Sequence, residues 1–591
     1  MMKDLFAALS LIVILLLASC NNVTDTLIEA ESFSNKGGWL VDPQFVEQMG
    51  SPYLLAHGLG EKVENASTVL ICKKSAKYKV WVRTTNWVSG NWEAPGRFCI
   101  TINDDTLPQI MGTRDGWGWQ YAGEKNIRKG NCIIALHDLT GFEGRCDAVY
   151  LTTGDKVPPD NGPDLSAFRQ GINTDNYKPG NIGEYDLVVI GGGIAGCAAA
   201  AAAAEKGLEV ALIHDRPVLG GNASSEIRVH TEGITWYSGR ILDKLNTVHW
   251  PNGSPEASSD DEKRHDFMNS LDNISIYLNL RAFSVETTDD SITMVKARHT
   301  STGKLMGFKA PVYTDCTGDG WIGYWAGADY MYGREESGRY DESLEDYGEL
   351  WSPLSPDSLV MGSSVLWITE RVSGFVKFPE VPWAMEVAEN YSATSGTWKW
   401  EYANNSLHQI NDGEKIRDHM FRAIYGSFYN AKKDSVNYNL RLKWMSYLLG
   451  KRESRRLAGD YIFTFNDIRN HKEFDDAVVK GVRPVDVHYQ QDLVDNTKPD
   501  FLSEALYYDV DYYFIPFRSL YSRNIKNLMM AGRCFSCSHV GLGGPRVMNT
   551  TGQMGVATGY AAYLCNKYGV NPRSIYENNI TELQRMITGA D

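Results

Sequence analysis

The sequence predicts a chain of several domains, with an all-β domain first and a larger α/β domain after it. The chain has 591 residues, and at roughly 100–200 residues per domain two to four domains are expected. Residues 27–153 show short alternating segments broken by Gly, Asn and Asp. Residues 186–213 show a strand, a glycine-rich turn, a helix and a second strand.

Composition excludes two broad classes of protein. Hydrophobic residues make up 43% of the chain and charged residues 22%, which is not the composition of a largely disordered protein. The formal net charge is −15, and no block of Lys or Arg stands out. We therefore expect no nucleic-acid partner, because such binding rests on neutralising phosphates.

Residues 1–20 read as a targeting segment. Lys3 is followed by an apolar run that is too short to span a bilayer comfortably, and small residues end it. Leu17-Ala18-Ser19-Cys20 resembles the lipobox of bacterial lipoproteins, which implies a lipidated Cys20 and attachment to the cell envelope, on its periplasmic or surface face. A plain secretory signal with an incidental cysteine is the alternative.

Residues 27–153 predict a β-sandwich, because strand-like segments recur without a helical pattern. The clearest strands are residues 78–83, 97–102 and 131–137. The order of motifs, from Ile28-Glu-Ala-Glu31 to Cys146-Asp-Ala-Val-Tyr-Leu151, resembles the carbohydrate-binding modules of families 6 and 35.

That resemblance implies two kinds of ligand. Acidic residues at its first and last strands hold calcium in those modules, and the matching positions are Glu29, Glu31 and Asp147. Carboxylates suit calcium, although carboxylates without a metal are the alternative. Sugar rings would stack on tryptophans, and the candidates are Trp39, Trp87, Trp92, Trp117 and Trp119.

Residues 154–183 are rich in Pro, Asp, Asn and Gly, so we interpret them as a linker or a loop packed between domains. A linker of roughly 30 residues with Pro is not a long flexible tether. We therefore expect the sandwich to dock on the next domain.

The strongest motif begins after the buried-strand run Asp186-Leu-Val-Val-Ile190. Gly191 permits a tight turn, Gly193 lets the backbone approach a pyrophosphate, and Gly196 lets the following helix pack against the sheet. The helix N-terminus then faces the phosphates. This context predicts a dinucleotide-binding α/β fold of the Rossmann type.

An acid that binds the adenosine ribose is expected about 20 residues further on. The second strand ends Ile213-His214-Asp215. Either Asp215 takes this role after a small shift, or His214 makes a different bond.

Three later segments resemble glutathione-reductase-like flavoproteins and imply FAD. They are the Arg216–Arg228 loop, the Thr314–Gly320 return strand, and the Asn527–Cys534 strand with the Met548–Gly559 helix. The resemblance implies cofactor contacts at Gly220, Gly221, Gly318, Gly532, Arg533, Gly552 and Gly555. Many such proteins carry Gly-Asp where this chain has Gly532-Arg533, so the contact to the ribityl chain must be made otherwise.

Together with residues 452–461 and 538–546, these segments resemble a bacterial family of secreted FAD-dependent oxidoreductases. The resemblance covers residues 184–566. It implies an oxidoreductase domain over residues 184–591, with a substrate or cap region at about 325–510.

Flavin chemistry usually needs a base that takes a proton as hydride leaves. The candidate bases are His539, between the last strand and last helix, then His488 and His230. Arg546 and Arg228 are candidates for stabilising reduced flavin or an acidic sugar, and structural salt bridges are their alternative.

The resemblances lead to one favoured function and two alternatives. The favoured function is the FAD-dependent oxidation of a sugar or glycoside outside the cytoplasm. The alternatives are a redox-neutral, flavin-assisted elimination and a glycan-binding protein that keeps the flavin fold as a scaffold. Cys534-Phe-Ser-Cys537 is either a structural or incidental pair or a redox disulfide. The sequence does not identify the electron acceptor.

Overall fold

The computed structural model describes residues 23–174, 178, 180–404, 406–494 and 498–590. The predicted targeting segment and Cys20 lie outside the described residues. The chain forms two compact units. The first comprises residues up to Leu40, Tyr53–Trp87 and Ala94–Thr174, and the second comprises Val41–Pro52, Val88–Glu93 and the chain from Asp175 onward. The second unit therefore includes two segments that the sequence assigned to the sandwich.

The N-terminal β-rich region contains two antiparallel sheets. The six-stranded sheet contains Asp25–Glu29, Leu40–Asp42, Tyr53–Ala56, Ala76–Thr84, Gly118–Ile127 and Gly144–Thr152. The four-stranded sheet contains Ala66–Cys72, Phe98–Ile102, Asp105–Thr106 and Gly130–Asp138. The three strands predicted most clearly are all confirmed. Trp39, Trp87 and Trp119 are buried, so they serve the core of this unit.

The predicted linker is partly wrong, because Gly162–Ile172 form an α-helix of the first unit. Pro163 occupies the first turn, where its missing N–H costs nothing. Leu165, Phe168 and Ile172 follow at helical spacing and pack against buried residues of the strands. The Pro and Asp content of the segment obscured this apolar stripe.

The same helix explains why the predicted calcium site is not supported. Arg169 donates to Glu29 at 3.0 Å and also pairs with Asp147, to which Arg83 donates at 2.8 Å. Burial, with Glu29 and Asp147 nearby, raises the pKa of Glu31 well above its usual range. Guanidinium groups thus occupy the place predicted for the cation. Within the described residues, no group of three or more His, Cys, Asp or Glu side chains is placed to hold a metal ion.

The second unit is built on a five-stranded parallel sheet. Its order is Ile274–Tyr277, Val210–Ile213, Leu187–Ile190, Val312–Asp315 and Leu528–Met530. The predicted strand, turn, helix and second strand are confirmed at residues 187–213. In a sheet of this kind a ligand lies at the carboxyl ends of the strands.

Two small-residue helices bury the centre of this unit. The alanine-rich helix Ile194–Ala204 is buried along its whole length and packs on the helix Met548–Tyr568. A Cβ on Gly555 would lie 2.1 Å from the carbonyl oxygen of Ala195, and one on Gly559 would lie 2.4 Å from that of Ala199. The glycines of the late helix therefore permit close helix packing.

The rest of the second unit consists of smaller sheets and helices. A four-stranded sheet has the order Ile182–Glu184, Leu305–Lys309, Ser291–His299 and Leu280–Thr288. Paired strands are Tyr330–Met331 with Arg456–Leu457, Ser363–Ser364 with Gly450–Lys451, Trp367–Arg371 with Leu440–Met445, Ala477–Gly481 with Tyr513–Pro516, and Val485–Tyr489 with Glu504–Tyr508. The further α-helices are Val46–Met49, Gly239–Leu245, Ala257–Asn269, Trp321–Ala326, Ser337–Tyr340, Gly348–Trp351, Met385–Ala388, Gly413–Lys432, Phe465–Arg469 and Pro572–Thr588. Over the described part of the chain, none of the helices is long and apolar enough to cross a membrane.

Candidate functional site

A cleft of about 380 Å³ lies in the second unit at the carboxyl ends of the parallel strands. Four loops that each follow a strand line it: residues 191–193, 214–216, 316–319 and 532–533. A different part of its wall comes from the predicted cap region and includes Trp398, Arg452 and His488. One cleft thus joins the predicted nucleotide loops to side chains able to do acid–base chemistry.

The glycine turn fits a pyrophosphate. Gly191 has a φ of +108°, and a Cβ there would lie 2.2 Å from the Cys316 carbonyl oxygen. Gly193 has an ordinary φ of −70°, and the nearest atom to its Cβ would be 3.9 Å away, on Gly221. Neither the backbone conformation nor the packing around Gly193 therefore requires a glycine at this position. Its missing side chain leaves room in the cleft, as close approach of a phosphate requires.

Other predicted cofactor glycines also lie on this wall. Gly220 and Gly221 have φ of +116° and +62°, so the loop after the second strand needs glycine at both positions. Gly318 has a φ of +75° and leaves room for the Arg533 guanidinium, and Gly532 has a φ of +107°. All four glycines line the cleft.

Three predicted cofactor glycines lie outside the cleft lining. A Cβ on Gly196 would meet the Gly191 carbonyl oxygen at 1.8 Å, which fits its predicted packing role. Gly552 packs near Leu242 and Ile194, and Gly555 packs against Ala195. From the same helix, Met548 and Thr551 reach the cleft instead.

His214 occupies the position where an acid was expected, and its ring is fully engaged. The Gly192 N–H donates to His214 Nδ1 at 3.0 Å, and His214 Nε2 lies 3.0 Å from the Val218 carbonyl oxygen. Burial, with Arg216 nearby, lowers the pKa of His214 to about 4. The neutral ring therefore stabilises the glycine turn by accepting the hydrogen bond from Gly192. Asp215 lines the cleft and accepts from Arg281 at 2.8 Å.

Asp319 is a cleft residue that sequence reasoning missed. Arg533 donates to its Oδ1 at 2.7 Å, and Lys451 donates to its Oδ2 at 2.7 Å. Burial opposes ionisation of Asp319, but the two cations hold its pKa well below the usual range. The chain has Arg533 where many flavoproteins have an acid after this glycine. Asp319 instead supplies an acid at this place, from the loop after the neighbouring strand. Its place in Thr317-Gly-Asp-Gly320 is the signal that could have revealed it.

His488 lies between two carboxylates in the cap-region wall. Its Nδ1 is 2.6 Å from Glu401 Oε2, and its Nε2 is 2.9 Å from Asp486 Oδ1. Burial opposes ionisation of both acids. Arg546, at 3.1 Å, nevertheless holds the pKa of Asp486 well below its usual range, and Arg452, at 3.3 Å, lowers that of Glu401. The His488 ring is therefore held between two ionised carboxylates.

Trp398 forms an aromatic surface beside this group. Its ring centre lies 5.2 Å from that of His488, and Arg452 donates to the Trp398 carbonyl oxygen at 2.6 Å. The side chains of Trp398 and Arg452 both line the cleft.

His230 also reaches the cleft, with Nδ1 2.5 Å from Asn252 Oδ1 and Nε2 3.3 Å from Glu232. Burial alone would lower the pKa of His230, but these two partners raise it. Arg228 lies outside the cleft lining. It donates to the Ser225 carbonyl oxygen at 3.0 Å and stacks over Trp444.

The structure places His539 away from the cleft lining. Its Nδ1 lies 2.9 Å from Glu453, and its backbone N–H donates to Glu335 at 2.9 Å. Cys534 and Cys537 are buried, free thiols, and burial raises the pKa of both.

A family model described as "FAD dependent oxidoreductase" matches residues 186–587. Among solved structures, a geranylgeranyl bacteriochlorophyll reductase-like protein of Thermoplasma acidophilum is 12% identical. That match covers 69% of this chain and 83% of that chain at a TM-score of 0.27. A myxobacterial chondrochloren halogenase is 15% identical over 33% of this chain and 45% of that one, with a TM-score of 0.22.

A family 35 carbohydrate-binding module from Clostridium thermocellum is 16% identical. The match covers 22% of this chain and 97% of the module at a TM-score of 0.18. At these TM-scores the likenesses indicate nothing about the activity of this chain.

Proposed function

The chain belongs to the family of FAD-dependent oxidoreductases, and from this membership we propose that it oxidises an alcohol group of a sugar or glycoside. The observation that carries the proposal is His488, held between Glu401 and Asp486 in the wall of the cleft that the glycine loops line. In a flavoenzyme, a histidine and carboxylates in the wall of the cleft can act as the base that accepts a proton from a substrate hydroxyl.

The glycine loops at residues 191–193 and 220–221 would hold FAD, which would supply the acceptor for the two electrons that leave the substrate carbon as hydride. The proton that leaves the hydroxyl oxygen, as the carbon–oxygen double bond forms, passes to the contact between His488 Nε2 and Asp486 Oδ1, which lie 2.9 Å apart. Arg546 lowers the pKa of Asp486 and Arg452 lowers that of Glu401, so both carboxylates beside His488 are ionised when the proton arrives. A separate electron acceptor, whose identity the residues do not specify, must then remove the electrons.

The sugar class is supported by the character of the wall beside His488. Trp398 offers a flat face suited to the apolar side of a sugar ring. Arg452 lies over the same ring at 5.9 Å, and Arg483, Arg546 and Asp486 line the same cleft with further charged hydrogen-bonding groups. Many directional polar groups around one aromatic face suit a polyhydroxylated ligand better than an apolar one.

The experiment is an anaerobic screen of the FAD-loaded protein against glycosides and oligosaccharides. Bleaching of the flavin absorbance by one of them, with formation of a carbonyl product, supports the proposal. Turnover without any electron acceptor and without lasting bleaching would instead indicate redox-neutral elimination. No response to any carbohydrate, together with bleaching by a non-sugar alcohol, would overturn the sugar class.

We also propose that the enzyme acts in the cell envelope, attached through a lipid on Cys20. The support is the segment Leu17-Ala18-Ser19-Cys20, which follows an apolar run. Cys20→Ser should release the protein from a salt-washed membrane fraction. Retention of the variant at the wild-type level would show that no lipid on Cys20 is needed.

A further inference from the structure

The segment Val41–Pro52, here called the strap, belongs to the second unit although the main part of that unit begins at Asp175, more than a hundred residues later. Asp42 pairs with Arg417 in a fully buried ion pair. The Gln44 side chain donates to the Tyr447 carbonyl oxygen at 3.0 Å and accepts from the Leu449 N–H at 2.9 Å. Buried and hydrogen-bonded groups therefore fix the strap to the oxidoreductase unit.

From this anchored segment, Glu47 reaches the cleft. Gln44, Phe45, Glu47 and Gln48 all line it. Both carboxylate oxygens of Glu47 lie 2.7 Å from Nη2 of Arg281, and Nη1 of Arg281 donates to Asp215 at 2.8 Å. One guanidinium thus joins an acid from the strap to the acid that follows the second strand.

This is the end of the cleft where a dinucleotide places its adenosine ribose, next to the end of the second strand. His214 occupies the position where an acid is usual. Both of its ring nitrogens contact backbone groups, so the ring is not available to the ribose. Asp215 is drawn onto Arg281. Glu47 lies on the same guanidinium as Asp215, and its side chain is 22% exposed.

We propose that Glu47 binds the ribose hydroxyls of the adenosine half of FAD, so that the strap forms part of the cofactor site. A carboxylate can accept from two neighbouring hydroxyls, and Arg281 orients it for that purpose. The inference rests on the FAD cofactor alone and not on the sugar substrate. FAD retention thereby depends on residues that precede the glycine fingerprint by more than a hundred positions.

The test measures FAD binding by apo-protein through flavin fluorescence, without reference to activity. Glu47→Ala should weaken FAD binding at least tenfold, because hydrogen bonds to a charged acceptor are lost. The matched control is Glu386→Ala. Glu386 also pairs with an arginine, Arg422, at 2.7 Å, but it is exposed and outside the cleft lining. The control should bind FAD like the wild type.

An FAD analogue whose adenosine ribose lacks both hydroxyls separates contact from a general structural effect. The wild type should bind the analogue at least tenfold more weakly than FAD, while Glu47→Ala should distinguish the two less than threefold. If the variant discriminates as strongly as the wild type, Glu47 does not contact the ribose. Wild-type affinity of Glu47→Ala for FAD would also overturn the proposal.

A conservative variant keeps the test decisive if Glu47→Ala does not fold. Glu47→Gln keeps the side-chain volume and one acceptor oxygen. It should fold and discriminate between FAD and the analogue less than the wild type does. Equal discrimination in Glu47→Gln and the wild type would count against the proposal.

Discussion

Asp319 accepts a hydrogen bond from Arg533 at 2.7 Å, across the loops that follow two neighbouring parallel strands. Lys451 donates to the other oxygen of the same carboxylate. Arg533 therefore places a cation directly after Gly532, at the end of the strand Leu528–Met530. Asp319, from the loop after the neighbouring strand, neutralises that cation. This relationship joins two loops of the cleft wall to the cap-region strand Gly450–Lys451.

Asp319→Asn should destabilise the apo-protein by about 2–4 kcal/mol, because two cations in the cleft lose their partner. The pKa of Asp319 is depressed, so its stabilisation is present above the unfolded-state pKa of about 4 and is lost as pH falls further. Urea unfolding at pH 7 measures the loss. The exposed Glu577, changed to Gln, is the control. A variant as stable as wild type would show that the two cations are solvated adequately without Asp319.

Gly193→Val should abolish FAD binding and leave the fold intact. The φ of Gly193 suits any residue, and the space around its Cβ is open cleft. Gly191→Ala is the contrasting variant, because its positive φ and its contact with Cys316 make any Cβ costly to the fold itself. Circular dichroism and flavin absorbance of both purified proteins separate the two effects. Full flavin occupancy in Gly193→Val would mean that no phosphate approaches this residue.

The local parts of this architecture could be predicted from the sequence. The buried-strand run at residues 187–190, the glycine turn and the alanine helix all follow from short-range pattern and backbone sterics. The alternating strands of the N-terminal region follow in the same way. The helix Gly162–Ile172 was missed because its Pro and Asp content outweighed three apolar residues at helical spacing.

Long-range pairings could not be predicted, because they depend on which side chains the fold brings together. No local signal couples Glu47 to Arg281, Asp319 to Arg533, or Arg169 to Asp147. The location of the two main base candidates could not be predicted either, since each pairs with a buried glutamate, His488 with Glu401 and His539 with Glu453. The fold places His488 in the cleft wall and leaves His539 outside the lining.

His214 should make the stability of the apo-protein depend on pH. Its pKa is about 4 in the folded state and about 6.5 in the unfolded state. A depressed pKa means that its stabilisation is complete above about pH 6.5 and is lost as pH falls toward 4. Between pH 7 and pH 5 the wild type should lose roughly 2 kcal/mol that His214→Gln does not lose. Urea unfolding at both pH values checks this, and equal losses in the two proteins would contradict it.

His488→Gln should bind FAD normally but reduce it slowly. The side chain lies between Glu401 and Asp486 in the cleft wall, and a positioned base contributes roughly 10²–10⁴-fold to such a step. Anaerobic stopped-flow with a glycoside that bleaches the wild-type flavin measures the rate of flavin reduction. Asp486→Asn should also slow this step, since it removes the carboxylate that lies 2.9 Å from His488 Nε2. His539→Gln is the comparison, because His539 is the competing base candidate and is absent from the cleft lining. A wild-type rate in His488→Gln, with a loss of 10²-fold or more in His539→Gln, would assign the base to His539.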